Sequence, residues 1–408
     1  AIGHGTIAAS MANGANSMAV IGGSATGGGA IALGEGANAG GLSSFATPSG
    51  IAGADYSIAL GGIVDPAAWG AVTIGGANVT ASGGVAIGSG ATVGGSGGSV
   101  AIGSAGAGGS NSVAIGYGGS TFSTGSLGDN SLAVIGGFST GVGSVAIGHG
   151  TIAASMANGA NSIAMVGGNA AGDGAIALGE GASAGGNNSF AMRYGSAAAN
   201  NSVAIGGYVD AAATDAVVVG GGLAYAPGSV VIGTGTTYGD GSVAIGAGAS
   251  TGGDFSMAFG HGTSTGPHQG SAIIGDYSYS PAMGTLAFTA NDADNQMMMR
   301  FDGGYKLYSN ADATVGTQLA PGSNAWSTIS DRRKKENFAV ADGEAFLKRI
   351  AKMELTSWNY KGQDPKLHRH YGPMAQDFYA AFGHDAYGNV GNDTTINQAD
   401  MEGVSFVA

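Results

Sequence analysis

The five residues Ser99-Val-Ala-Ile-Gly103 return letter for letter at Ser112, Ser144, Ser202 and Ser242. Variants fill the intervals, among them Ala30-Ile-Ala-Leu-Gly34, Ser57-Ile-Ala-Leu-Gly61, Gly84-Val-Ala-Ile-Gly88, Ser229-Val-Val-Ile-Gly233 and Ser256-Met-Ala-Phe-Gly260, mostly 12 to 15 residues apart. A unit this short has no room for a core of its own, so each copy must bury its apolar residues against the copies before and after it. Roughly nineteen such turns can be read along the chain, and stacked at ~4.8 Å per rung they predict a parallel β-roll or solenoid about 90 Å long.

Within a turn, Val and Ile stand two apart and share one face of a strand, while Ser, Ala and Gly share the other. The larger pair is expected to fill the interior of its turn. Alanine on the second face, where a solvated strand would carry polar side chains, predicts that this face lies against sister chains. The closing glycine suits a turn with positive φ, and the stretch after it, as in Ala249-Ser-Thr251 or Thr263-Ser-Thr265, reads as a second, short strand. A buried Val or Ile contributes about 1.5–3 kcal/mol, which is of the order of the entropy lost in ordering two or three residues, so a lone thin roll is marginal and self-association is expected.

Composition removes the competing readings of a glycine-rich chain. The 83 glycines among 408 residues follow no Gly-X-Y period, and Val, Ile and Ala recur too regularly for a flexible linker. Residues 1–299 hold one basic residue, Arg193, against thirteen acidic ones, whereas residues 300–408 hold twelve basic and thirteen acidic, which places a boundary near residue 300. With a net charge of −13 and almost no cations in the long arm, nucleic acid is not an expected partner. No cysteine is present, so no disulfide or thiolate metal site is available. No apolar run reaches transmembrane length, so no membrane insertion is expected within this chain. No signal peptide is visible, and the chain opens in mid-motif at Ala1-Ile2-Gly3, which predicts that the natural protein begins further upstream.

A longer period overlies the short one. Residues 1–17 equal residues 146–162 letter for letter, an offset of 145, and the match continues imperfectly through Glu35 and Glu180. A linear stack tolerates such block duplication because its rungs meet only their nearest neighbours.

The form Asn-Ser-Val-Ala-Ile-Gly at Asn111–Gly116 and Asn201–Gly206, with Asn-Ser again at Asn16, Asn130, Asn161 and Asn188, resembles the YadA-like head repeat of trimeric autotransporter adhesins over roughly residues 1–276. The resemblance implies a left-handed parallel β-roll with three chains about one axis, hence a homotrimer.

After about Pro281 the period stops, and residues 297–308 read as a β-hairpin turning at Asp302-Gly-Gly304, a neck between shaft and terminal domain. Then come Ser330-Asp-Arg-Arg-Lys-Lys-Glu-Asn337, a helical stretch at Ala345–Met353, Ser357-Trp-Asn-Tyr360 and Gly372-Pro-Met-Ala-Gln-Asp377. This set resembles the endosialidase-type intramolecular chaperone domain at the C-terminus of phage tail spikes and tail fibres. The resemblance implies an α+β domain that trimerises the chain, guides folding of the shaft, and cuts itself at a Ser-Asp bond, with Ser330 as serine, Asp331 as aspartate, Lys335 as the dyad lysine and His370 in an assisting role. Lys334 stands where the family has an apolar residue, and relatives continue beyond the position of Ala408 into a long trimeric helix. A serine becomes a nucleophile when a nearby neutral amine takes its proton, and the four cations Arg332 to Lys335 favour that neutral form.

The expected organisation is therefore an all-β repeat shaft over residues 1–280, a hairpin neck over 281–326, and an α+β chaperone domain over 327–408. The expected function is attachment of a trimeric, extracellular or virion-borne tail fibre to a cell-surface receptor, with a glycan as one candidate class, through irregular loops bearing Trp69, Tyr194, Tyr208, Tyr225 and Tyr238. A bacterial adhesin at the cell surface and a glycan-cleaving spike stay open as alternatives, the latter needing paired carboxylates. No cofactor is expected: Gly34–Gly40 lacks the Lys of a phosphate loop, and Asp173 and Asp240 are too sparse for a calcium-binding roll. His4, His149 and His261 recur after the strand and read as solvent-facing turn residues rather than a metal site.

Overall fold

The computed structural model describes residues 1–3, 5–6, 8–117, 123–280, 285–286, 289–384 and 388–408. His4 and Pro281 therefore lie outside the described residues. The chain divides into two units, Ala1–Arg300 and Phe301–Ala408.

The first unit is a parallel β-solenoid. Each turn contributes one long strand, such as Val100–Gly103, and one short strand, such as Gly106–Ala107, and each kind pairs in parallel only with its own kind in the turns before and after. Two sheets of 20 strands result. The register superimposes like on like: Val100 faces Val113, Ala101 faces Ala114, Ile102 faces Ile115. Rung-to-rung hydrogen bonds such as Val100 N to Ser112 O and Val113 N to Ser131 O are both 2.9 Å.

The orientation of the strands corrects the expectation from side-chain size. Alanine points inward and the Val/Ile pair outward: Ala101, Ala114, Ala133, Ala146 and Ala204 are all fully buried, whereas Ile58, Ile74, Ile102, Ile115 and Ile232 are 36–44% exposed. The reason is the narrow gap between the sheets, which holds one small side chain per strand. Among the described residues of this unit the bulkiest fully buried side chains are Ile273 and a few Val and Thr. Where valine enters, glycine faces it: a Cβ at Gly207 would collide with Val218, one at Gly222 with Val231, and one at Gly84 with Val79 and Val93. Such reciprocal sizing is what close packing at crystal-like density demands.

The other letters of the motif are explained by the turn that precedes the long strand. Asn16, Asn111, Asn130, Asn161, Asn188 and Asn201 take φ of 54–59°, the left-handed conformation that asparagine tolerates best among residues with a side chain. The following serine is buried, and its hydroxyl donates to the carbonyl three residues back, as in Ser112 to Gly109 at 2.7 Å and Ser202 to Ala199 at 2.6 Å. In later rungs a buried threonine of the short strand donates to that serine, Thr237 to Ser229 at 3.0 Å and Thr251 to Ser242 at 2.8 Å. Most of these buried hydroxyls are thereby satisfied within the chain, with Ser162 and Thr73 the exceptions among the described residues.

The expected hairpin at residues 297–308 does not form. Met297–Arg300 pairs in parallel with Ala272–Gly275 as the last rung, which leaves Tyr305–Tyr308 to pair antiparallel with Gly316–Leu319 in the second unit. The alternating Met297, Met298 and Met299 satisfy the solenoid's pattern equally well, with Met298 packed on the core beside Ile273.

The second unit is α+β. A three-stranded antiparallel sheet (Tyr305–Tyr308, Gly316–Leu319, Ser327–Thr328) precedes a 3-10 turn at Arg332–Lys334, helix α1 (Gly343–Ile350), the antiparallel pair Thr356–Trp358 with His370–Gly372, helix α2 (Ala375–Phe382) and helix α3 (Gln398–Val407). Asp342 caps α1 by accepting from Ala345 N at 3.2 Å, and Asn397 caps α3 by accepting from Ala399 N at 2.9 Å. Among its described residues the only buried apolar side chains are Phe378 and Phe382, whereas Val340, Leu367, Tyr371 and Phe406 are at least 77% exposed.

The inward alanine makes a direct prediction. Ala114→Leu should destabilise the shaft by about 1–3 kcal/mol through overpacking, read as a lower thermal midpoint by circular dichroism. Tolerance of leucine at this position would contradict the narrow interior.

Candidate functional site

The 3-10 turn brings Ser330 and Lys335 together. Lys334 N bonds to Asp331 O at 3.0 Å and Lys335 N to Arg332 O at 3.2 Å, so the chain doubles back and Lys335 Nζ donates to Ser330 Oγ at 2.7 Å. Asp331 nucleates this turn: its Oδ1 accepts from Arg333 N at 2.9 Å, and the Arg333 guanidinium closes on both oxygens at 2.7–3.1 Å. This pairing holds the Asp331 carboxyl below the usual aspartate range and pushes the Arg333 guanidinium up. The four consecutive cations thus have separate tasks. Arg332 lies 4.5 Å over the Phe338 ring, Arg333 clamps Asp331, Lys334 reaches the Ala313 carbonyl at 3.4 Å, and Lys335 meets Ser330. The clamp by Arg333 is absent from the sequence reading, although an arginine two residues after a capping aspartate was a usable signal.

The arrangement sets nucleophile and base at contact distance but in water, since Ser330 and Lys335 are both exposed. Here the lysine donates; activation of the serine requires the reverse, an amine that has lost its proton, and desolvation is the means by which proteins achieve that. His370 belongs to a different cluster. Its ring stacks on Trp358 at 4.7 Å, meets Tyr360 at 5.4 Å, and its Nε2 lies 3.2 Å from Gln363 Oε1.

On the shaft, the two turn edges differ in chemistry. Ten of the thirteen acidic residues (Asp55, Asp65, Asp129, Asp173, Asp210, Asp215, Asp240, Asp254, Asp292, Asp294) lie in turns that enter a long strand, and only Glu35, Glu180 and Asp276 lie in turns that leave one. Several of these aspartates bridge rungs: Asp173 Oδ1 accepts from Ala160 N at 2.8 Å and Asp254 Oδ1 from Asp240 N at 2.9 Å. The same edge carries a tyrosine stack. Tyr225 and Tyr238 are parallel at 5.2 Å, Tyr208 leans on Tyr225 at 6.2 Å, and the Tyr208 hydroxyl donates to Asp210 at 3.1 Å, which raises its pKa. Tyr56 and Trp69 form a second pair at 6.0 Å. Tyr194 and Arg193 stand on the strand-exit edge instead, both with positive φ and both exposed. His149 Nδ1 lies 2.8 Å from the Gly150 carbonyl, and His261 packs edge-on to Tyr277. Glu35 and Glu180 are ten rungs apart, about 48 Å at ~4.8 Å per rung, far beyond the spacing of a glycosidase pair within one chain.

Known family models match segments of both units. Residues 330–385 match the model described as Chaperone of endosialidase, and residues 25–47, 170–192 and 238–263 match the model described as YadA head domain repeat. The combination is that of a trimeric autotransporter or phage tail-fibre type protein. No curated protein matches the chain. Among the described residues no helix is long and apolar enough to cross a membrane.

Because Asp331 is held below its ordinary value of about 3.9, its carboxylate supports the turn at neutral pH, and that support is lost only as pH falls through the lowered value. A carboxyl NMR titration should place Asp331 below the ordinary aspartate value of about 3.9, and Arg333→Ala should move it up toward that value.

Proposed function

We propose that three copies of this chain form a fibrous attachment protein of the tail-fibre type, extracellular or virion-borne. In it the repeat unit is a spacer and binding shaft, and the C-terminal unit is an intramolecular chaperone that joins and folds the three chains. The observation that carries this reading is apolar surface left open on the single chain: the continuous outward column of Val and Ile on the long-strand sheet, and a C-terminal unit with two buried aromatic residues and many exposed apolar ones. Surfaces of this extent are interaction sites, and a long shaft with a repeated apolar stripe is suited to copies of itself in the same register.

Charge then sets orientation. The acidic, aromatic strand-entry edge cannot be buried against another acidic copy, so it faces outward and meets the receptor. The Tyr225–Tyr238 stack, with Asp210 and Asp240 beside it, suits a ring bearing hydroxyl groups, such as a neutral cell-surface glycan, and repels an acidic one. The YadA head matches favour, as a second reading, a trimeric adhesin carried on a bacterial surface. Attachment by the shaft is common to both.

Self-cleavage at the Ser330–Asp331 bond is part of the proposal. Association of the chains over the exposed Ser330–Lys335 pair would desolvate and favour a neutral lysine, which accepts the Ser330 hydroxyl proton as Oγ attacks the Ser330 carbonyl carbon; that proton passes to the departing Asp331 nitrogen, and one water molecule then hydrolyses the resulting ester and restores the serine.

Two measurements test these readings. Light scattering on the purified protein should give three chain masses, and a monomer at all concentrations would refute the assembly. Mass spectrometry should find a fragment beginning at Asp331 in the native protein and none in Ser330→Ala or Lys335→Ala. A native chain that keeps its full mass after long incubation would remove self-cleavage while leaving the attachment function standing.

A further inference from the structure

The strand-exit edge holds β-branched residues in a backbone conformation they ordinarily avoid. Ile21, Ile135 and Val166 take φ of 49°, 45° and 52° at the position where many rungs place glycine. A branched Cβ crowds the neighbouring carbonyl in this left-handed region, so the conformation persists only where another interaction compensates. Burial within the chain does not supply it, because the three side chains are 58%, 62% and 54% exposed.

The surroundings of Ile135 and Val166 are built firmly. Ile135, the loop of residues 149–155 and Val166 follow three consecutive long strands. The loop closes on itself: Gly150 N donates to Ala153 O at 2.7 Å, His149 bridges to Ala154, and Ser155 Oγ donates to Ile147 O at 3.0 Å while accepting from Gly167 N at 2.9 Å. A Cβ at Gly136 would come within 3.0 Å of the His149 ring, and one at Gly167 within 2.8 Å of Gly150, so the loop is seated between the immediate neighbours of Ile135 and Val166. At its tip Ile152 is 79% exposed. The closures recur 145 residues earlier beside Ile21, with Gly5 N to Ala8 O at 2.7 Å and Gly22 N to Ser10 Oγ at 3.0 Å.

Charge indicates the occupant. No Asp, Glu, Lys or Arg occurs between Asp129 and Asp173. Two strongly acidic shafts abut most readily where few carboxylates are presented; among the described residues the one carboxylate residue brought beside this loop is Glu180 of the next rung, whose stem lies against Gly150 and whose Oε1 is buried, as Glu35 lies against Gly5 in the earlier copy.

We propose that Ile135, Ile152 and Val166, with their counterpart at Ile21, form a contact node that is buried against a second copy of this chain. The left-handed backbone at Ile135 and Val166 holds their side chains out from the roll, and burial in the sister chain compensates for it. The proposal rests on the self-association argued above and specifies which edge makes it.

Glycine substitution separates the two meanings of a strained residue. At a free surface, Val166→Gly and Ile135→Gly would relieve the backbone and raise the melting temperature. At a buried node, both lower the melting temperature of the assembly by several degrees and shift it toward monomer on dilution. Phe255→Gly is the control, since Phe255 has φ 55° and 70% exposure on the acidic edge, and this variant should melt at or above the native temperature. The chain has no cysteine, so single-cysteine variants give a second readout that does not depend on stability. In the assembled protein Val166→Cys should be shielded from a bulky maleimide, and Phe255→Cys should label readily. If the assembly forms, yet Val166→Gly stabilises it as Phe255→Gly does and Val166→Cys labels as fast as Phe255→Cys, the node is overturned while association stands. A chain that stays monomeric removes association itself, and the node with it.

Discussion

The gap between the two sheets of the solenoid is one small side chain deep, and the rest of the shaft depends on that. It makes alanine the usual inward residue, sends most larger aliphatic side chains out, and sets glycine opposite several of the valines that do enter, as Gly207 stands to Val218 and Gly222 to Val231. A core of alanine buries little apolar surface per residue, so the ladders of backbone hydrogen bonds and the reuse of one register on every rung carry much of the cohesion. Regularity is itself the stabilising device: any rung that departs from the pattern disturbs two neighbours.

The turns show the same economy. Asparagine in the left-handed conformation reverses the chain, serine satisfies the carbonyl that the turn leaves pointing inward, and aspartate on the outer edge ties one turn to the next, as Asp173 does to Ala160 and Asp254 to Asp240. Carboxylates that suggest an ion site when read singly thus act as backbone acceptors between rungs. Confining ten of the thirteen shaft carboxylates to one edge leaves the outward aliphatic column and the opposite edge with little like-charge repulsion, which favours close contact between copies of so acidic a chain.

The C-terminal unit has little core of its own. With Phe378 and Phe382 as its buried apolar residues it is far from the core that a unit of this size ordinarily needs. The Ser330–Lys335 pair matches this picture. Its geometry is set locally by the Asp331-capped turn, and both side chains stand exposed on the single chain.

The repeat, its parallel stacking, the duplication at 145 residues and the charge boundary were legible in the sequence, because each rests on spacing or composition along the chain, whereas the pairing of Ser330 with Lys335 was an implication of the resemblance to the chaperone domain. The inside and outside of the rung were not. Period two says that Val and Ile share a face and that Ala shares the other, but which face is interior depends on how far apart the two sheets lie, and that distance exists only once the turns have closed. For the same reason Met297–Arg300 read as a hairpin arm and folded as a final rung: its pattern suits either partner, and only the presence of an open strand edge at Ala272–Gly275 decided between them. The strained exits at Ile135 and Val166 likewise appear in sequence as ordinary apolar letters, and only the backbone of the closed turn shows that they occupy glycine's place.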